Sequence, residues 1–276
     1  FHIEHRNDDA DERLGHIVER LCMGDAVWMR VRRGLNVPCL QQKVGHPVSA
    51  RRQQTADEVG FMILGLLGAS GISKDSIKAS VYASVVPSLD EMFMDGINNY
   101  IGVPCLKVTA ELDTGLEVRL KNLAGLGADR LLNAVAGVQK YGAPLVVVDL
   151  GTAITLDVIS ADGAYIGGTI APGMELGMES LFSRTAKLPQ IALEAPVHYI
   201  GGDTTEAIQS GIVYGTVGLV DTLLRGVFKE LGGPCRVVAT GGHAEILAMH
   251  SEMVREVDQW LTIEGLRIIY ERNRFE

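Results

Sequence analysis

Cysteine is scarce in this chain and never paired by spacing. Cys22, Cys39, Cys105 and Cys235 are the four among 276 residues, and no Cys-x-x-Cys joins any two of them. That argues against a disulfide framework or a zinc site and makes a reducing, cytoplasmic setting the expectation. The seven histidines are equally scattered, so no transition metal is expected. Long apolar runs are missing too: none approaches the roughly 18 residues that a membrane-spanning helix needs, so no membrane is expected. The opening FHIEHRNDDADERLG is too polar for a signal peptide, and its Phe1 reads as a truncated or processed end. Positive charge is in deficit, 25 Lys and Arg against 34 Asp and Glu, and this net −9 argues against nucleic acid as the main partner. There is no Gly-x-x-x-x-Gly-Lys-Ser/Thr, which excludes a P-loop, and the nearest Rossmann-type glycine spacing lacks its strand–helix setting.

What is present is a strand–helix alternation with 47% hydrophobic residues, enough for one large domain or two of about 130 residues each. Thr55-Ala-Asp-Glu58 has the spacing of a capping box and opens a helix that stops near Gly68–Gly71. Residues 79–86 read as a buried strand ending at Pro87, followed by a helix over 88–101 and a strand over 103–108. Gly127-Ala-Asp-Arg130 precedes a helix from Leu131 to Lys140. Leu145 to Val148 is a β-branched apolar run that ends in Asp149 and a Gly151-Thr152 turn. A strand from Ile154 to Ile159, an Asp162-Gly163 hairpin signal and a third strand into Gly167, Gly168 and Pro172-Gly173 follow. Then come a helix over 174–184, a loop with Leu188-Pro189, and a long helix over 203–230 carrying Gly211, Gly215 and Gly218. Arg236 to Ala239 delivers Thr240-Gly241-Gly242, and a last helix starts near Ile263. This pattern predicts two α/β halves, 1–142 and 143–276.

The first 50 residues are atypical. Residues 1–25 are acidic and helix-like, whereas residues 26–56 carry six basic side chains and no acid. That second segment has poor periodicity and reads as a solvated loop or an irregular strand pair, with an anion-binding patch as the sharper alternative.

Three glycine turns stand where α/β folds bind ligands: Gly127–Arg130, Asp149 with Thr152, and Thr240-Gly241-Gly242. A carboxylate and a hydroxyl at a tight glycine turn suit a cation and a phosphate together. The plainer alternative is a meander whose Asp149 caps a turn. Asp129 and Arg130 stand together at a helix start, where the dipole and the arginine favour an ionised carboxylate. Such a group can accept a proton from a substrate hydroxyl, while the arginine forks onto a carboxylate. Alternatively Asp129 caps the helix and Arg130 is its surface partner.

Taken together, Asp149-Leu-Gly-Thr-Ala-Ile-Thr155, Gly167-Gly-Thr-Ile-Ala-Pro-Gly173, Thr185-Ala-Lys-Leu-Pro189 and Gly127-Ala-Asp-Arg-Leu-Leu-Asn133 resemble type III pantothenate kinases. Ile200-Gly-Gly-Asp-Thr204, Gln209-Ser-Gly211, Ala239-Thr-Gly-Gly242, Thr55–Glu58 and Ser84–Pro87 match the same family in consistent order. The resemblance implies an α/β, duplicated actin-like (ribonuclease H-like) two-domain fold, mixed sheets with flanking helices, and a nucleotide held between the domains. It implies ATP-dependent phosphorylation of pantothenate to 4'-phosphopantothenate, the first step of coenzyme A synthesis. Asp129 would be the base, and Gly127, Ala128, Asp129, Arg130 and Thr204 would bind pantothenate. Asp149 would hold a monovalent cation, K+ or NH4+, and Thr152, Gly241 and Gly242 would contact ATP, which brings Mg2+. Members of the family resemble one another as homodimers, and the glycine-lined helix from 203 would pack at that interface.

The chain departs from the family pattern at its beginning. The usual Asp-x-Gly-Asn-Thr turn is missing from residues 26–50, where Gly34 and Asn36 are the only echoes. The family's tyrosine nine residues before the catalytic aspartate is replaced by Leu120, and its nearby proline by Leu123. Two explanations stand: a disrupted beginning, for instance through a shifted reading frame, or a divergent homologue that binds ligand with weak or no catalysis and acts as a regulator.

Overall fold

The computed structural model describes residues 24–31, 36–43, 55–84, 90–183 and 191–273, with the backbone alone described for those before 55. Its contacts divide into two compact units: residues 1–114, 127–129 and 266–276, and residues 115–126 with 130–265.

In the first unit the basic segment forms a strand pair. β1 (Gly24–Val31) and β2 (Asn36–Lys43) run antiparallel, with the register shifting between Ala26 and Val27. The helix-like reading of residues 1–25 lies outside the described residues up to position 23, and Gly24 and Asp25 already belong to β1. β1 also pairs antiparallel with β3 (Ile77–Ala83), which pairs parallel with β4 (Cys105–Lys107), giving the order β2-β1-β3-β4. Two helices, α1 (Ala56–Ala69) and α2 (Asp90–Tyr100), belong to this unit. Thr55 caps α1 with both bonds of the expected box: its hydroxyl accepts from Glu58 N, and Glu58 Oε2 accepts from Thr55 N at 2.8 Å. The helices approach closely because glycine permits it: a Cβ at Gly60 would meet the Tyr100 ring at 2.1 Å, and one at Gly96 the Ala56 carbonyl at 2.8 Å. Val59, Ile63, Leu67, Tyr82, Phe93 and Ile97 form the core between them.

The second unit is built on a five-stranded sheet. β5 (Leu145–Leu150), β6 (Ala153–Ile159) and β7 (Tyr165–Pro172) form an antiparallel meander, and β8 (Arg236–Thr240) and β9 (Glu256–Val257) add in parallel, in the order β7-β6-β5-β8-β9. The β6–β7 turn is the expected Asp162-Gly163, with Gly163 at a φ of +86° and its N–H donating to Ser160 O at 2.9 Å. Helix α3 (Ala128–Tyr141) lays Gly137 on β5, where a Cβ would stand 2.6 Å from Leu145 Cδ2. Helices α4 (Met174–Ser183), α5 (Thr204–Leu231), α6 (Ala244–His250) and α7 (Leu261–Asn273) complete the described chain. The expected Leu188-Pro189 loop lies outside the described residues.

Asp203 caps α5 by accepting from Glu206 N at 2.9 Å, and Gly232 ends it in the left-handed conformation at a φ of +82°. By length and composition α5 is apolar enough to cross a membrane. Yet Ile208, Val213, Val217, Val220 and Leu224 lie buried along one stripe, three of them (Val217, Val220 and Leu224) joining the sheet core with Val146, Val148, Leu156 and Val237. That is the stripe of a core helix.

Candidate functional site

Asp149 stands at the end of β5, opposite Thr240 on parallel β8 and Thr155 on β6. Open α/β sheets bind ligands beyond such strand ends. Each oxygen of its carboxylate meets a different surrounding. Oδ2 accepts from Asn133 Nδ2 at 2.8 Å, and Asn133 Oδ1 in turn accepts from Thr262 Oγ1 at 2.7 Å. Asn133 is fully buried and Thr262 nearly so, so this relay fixes the carboxylate from behind. Oδ1 faces the glycine turns: a Cβ at Gly241 would lie 2.5 Å from it, and one at Gly151 3.9 Å. Gly241 turns at a φ of +91°, which glycine adopts without strain. Thr152 is exposed on the turn after β5, and its carbonyl accepts from Gly173 N at 2.9 Å. Asp149, Gly241 and the Gly151-Thr152 turn thus meet at one corner, with Gly242 exposed beside them. A carboxylate oxygen beside glycine turns is a fitting ligand for a cation, and turn N–H groups suit phosphate.

Arg130 is largely buried rather than set out on the surface. Its Nε donates to Asp157 Oδ1 at 2.7 Å, its side chain is 14% exposed, and its guanidinium carbon sits 5.9 Å from the centre of the Tyr165 ring. Asp157 has no exposure and also accepts from Tyr165 Oη at 2.7 Å and Thr155 Oγ1 at 3.1 Å. Burial pushes its carboxyl up to about 6, although Arg130, Tyr165 and Thr155 all pull the other way. Asp129 is the second residue of α3, inside its first turn rather than at its cap, and is half-buried. Gly127 precedes the helix and Ala128 begins it, both half-buried. Thr204 is the exposed first residue of α5, far along the chain from Arg130.

Sequence reasoning missed Asn133 and Thr262 as supports for Asp149, and Thr155, Asp157 and Tyr165 as supports for Arg130. One signal was available: Thr155 and Asp157 are polar at alternate positions of an otherwise apolar, buried strand.

Comparison with known proteins gives these features a family. The model of the type III pantothenate kinase family matches residues 37–226. The type III pantothenate kinase of Koribacter versatilis is 40% identical over 227 residues, 82% of this chain and 83% of that one. That of Moorella thermoacetica is 42% identical over 226 residues, 82% and 89% of the two chains, and that of Geobacter sulfurreducens 41% over 227 residues, with 82% and 89% covered. A match that takes in Asp129 and Arg130, Asp149 and most of α5 leaves one conclusion: this chain belongs to the type III pantothenate kinase family.

Proposed function

We propose that the chain transfers the γ-phosphoryl group of ATP to the hydroxyl of pantothenate, giving 4'-phosphopantothenate and ADP, the first step of coenzyme A synthesis. The family match carries this reading, since its residues 37–226 include Asp129, Asp149, Thr152 and Thr204. In this reading Asp129 takes the hydroxyl proton as the oxygen bonds to phosphorus and the bond to ADP breaks. Its half-buried place in the first turn of α3, next to Arg130 in sequence, supports that role. Gly127, Ala128, Arg130 and Thr204 bind pantothenate, and Thr152, Gly241 and Gly242 contact ATP, which carries Mg2+. Asp149 would hold K+ or NH4+; its Oδ1, aimed at the Gly241 turn, fits a cation. A bound monovalent cation supplies positive charge against the phosphates. We further propose a cytoplasmic homodimer joined through α5, whose Gly211, Gly215 and Gly218 are exposed with open space where a Cβ would go. The test is an ATP-dependent assay with pantothenate in K+, NH4+ or neither, with Asp129→Asn as the paired variant.

A further inference from the structure

We infer that Asp157 is a positioning residue for substrate recognition: backed by Tyr165 and Thr155, it holds Arg130 so that the guanidinium meets the carboxylate of pantothenate. The inference rests on the proposed function and deepens it, by naming what aims the substrate-binding arginine.

Asp157 is wholly buried on β6 and is bonded on both oxygens. Its Oδ1 accepts from Arg130 Nε and from Tyr165 Oη, each at 2.7 Å, and its Oδ2 from Thr155 Oγ1 at 3.1 Å. Tyr165 is itself fully buried, and its ring lies against the guanidinium. β7 contributes a bare backbone: a Cβ at Gly168 would stand 2.9 Å from Arg130 Nη2 and 1.7 Å from Leu156 O. Arg130 is therefore held by a bond at Nε, by a ring and by a glycine strand. A buried carboxylate is a costly partner for an arginine unless its remaining bonds are satisfied, and here they are. What the arrangement gains is direction. A bond at Nε fixes the plane of a guanidinium and the heading of its Nη1–Nη2 edge, the edge that forks onto carboxylates. Pantothenate carries one charged group, its carboxylate, so a fixed arginine reads that group.

The experiment compares two acceptors, pantothenate and its alcohol analogue with CH2OH in place of the carboxylate. Steady-state rates are measured for the parent chain, Asp157→Asn, the milder Tyr165→Phe, and Asp157→Glu as a conservative rescue. Asp157→Asn should raise KM for pantothenate about tenfold, leave KM for ATP unchanged, and erode the preference for pantothenate over the alcohol by a similar factor. Tyr165→Phe should shift the same ratio by a smaller factor, and Asp157→Glu should recover part of it. A merely structural role would slow both acceptors alike. An unchanged preference in Asp157→Asn, or in Tyr165→Phe should the first variant fail to fold, overturns the positioning role while the parent still phosphorylates pantothenate. A parent that phosphorylates neither acceptor overturns the functional reading, and the inference with it.

Discussion

At Gly241 the backbone turns at a φ of +91°, and a Cβ there would stand 2.5 Å from Asp149 Oδ1 and 2.7 Å from Leu150 O. Gly241→Ala therefore both strains the turn and displaces the carboxylate proposed to hold the cation. Initial rates against K+ and ATP concentration should show kcat/KM for ATP lowered by about tenfold or more, with the circular dichroism of the parent retained. Parent-like rates would remove Asp149 from the cation site. Asp157 makes a different prediction, through stability. Burial lifts its carboxyl from an ordinary 3.8 to about 6, so the folded state binds this proton more tightly than the unfolded chain. Its contribution is whole below about 3.8 and is lost as pH rises through about 6, after which it is flat. Urea unfolding of the parent and of Asp157→Asn at several pH values checks this. The difference between the two should change between those pH values and stay constant above them.

Helix and strand positions that depend on neighbours in sequence were legible, and those that depend on distant partners were not. The capping box at Thr55 and the Asp162-Gly163 turn are each decided within a few residues, and both formed as read. β1 and β2 gave no alternation to read, because their place depends on β3, which pairs with β1 from some 50 positions along the chain. Among site residues, Asp149 and Gly241 could be read as turn chemistry. The relay behind Asp149 could not, since Thr262 reaches Asn133 across 129 positions. Arg130 was seen, but its partner was not: Asp157 lies 27 residues away on a strand whose polar alternation is brief. At α5 the proposed interface can be tested as an element. Gly215 has open space where a Cβ would go and lies on the outward side of the helix. Gly215→Leu should convert the proposed dimer to monomer in sedimentation velocity, with helix content kept. A variant that sediments as the parent does would exclude α5 from the interface.

Over the whole chain, the two sheets repeat one order, with a difference that marks the unusual beginning. The run β6-β5-β8-β9 corresponds in position to β2-β1-β3-β4. Both begin with an antiparallel pair and end with a parallel one. The middle step differs: β5 and β8 are parallel, whereas β1 and β3 are antiparallel. The reversed hairpin, Gly24–Val31 with Asn36–Lys43, overlaps residues 26–50, where the Asp-x-Gly-Asn-Thr turn is missing from the sequence. The turn proposed to bind phosphate in the second unit brings Gly151, Thr152 and Gly241 to Asp149, so the activity of the whole molecule is where the account meets its hardest test. The decisive measurement is the mass-spectrometric detection of 4'-phosphopantothenate after incubation of the purified chain with ATP, Mg2+ and pantothenate in K+ or NH4+. The account predicts product in equal amount to ADP, with a rate that falls about 100-fold or more in Asp129→Asn. A folded protein that makes no phosphopantothenate with either cation would contradict it.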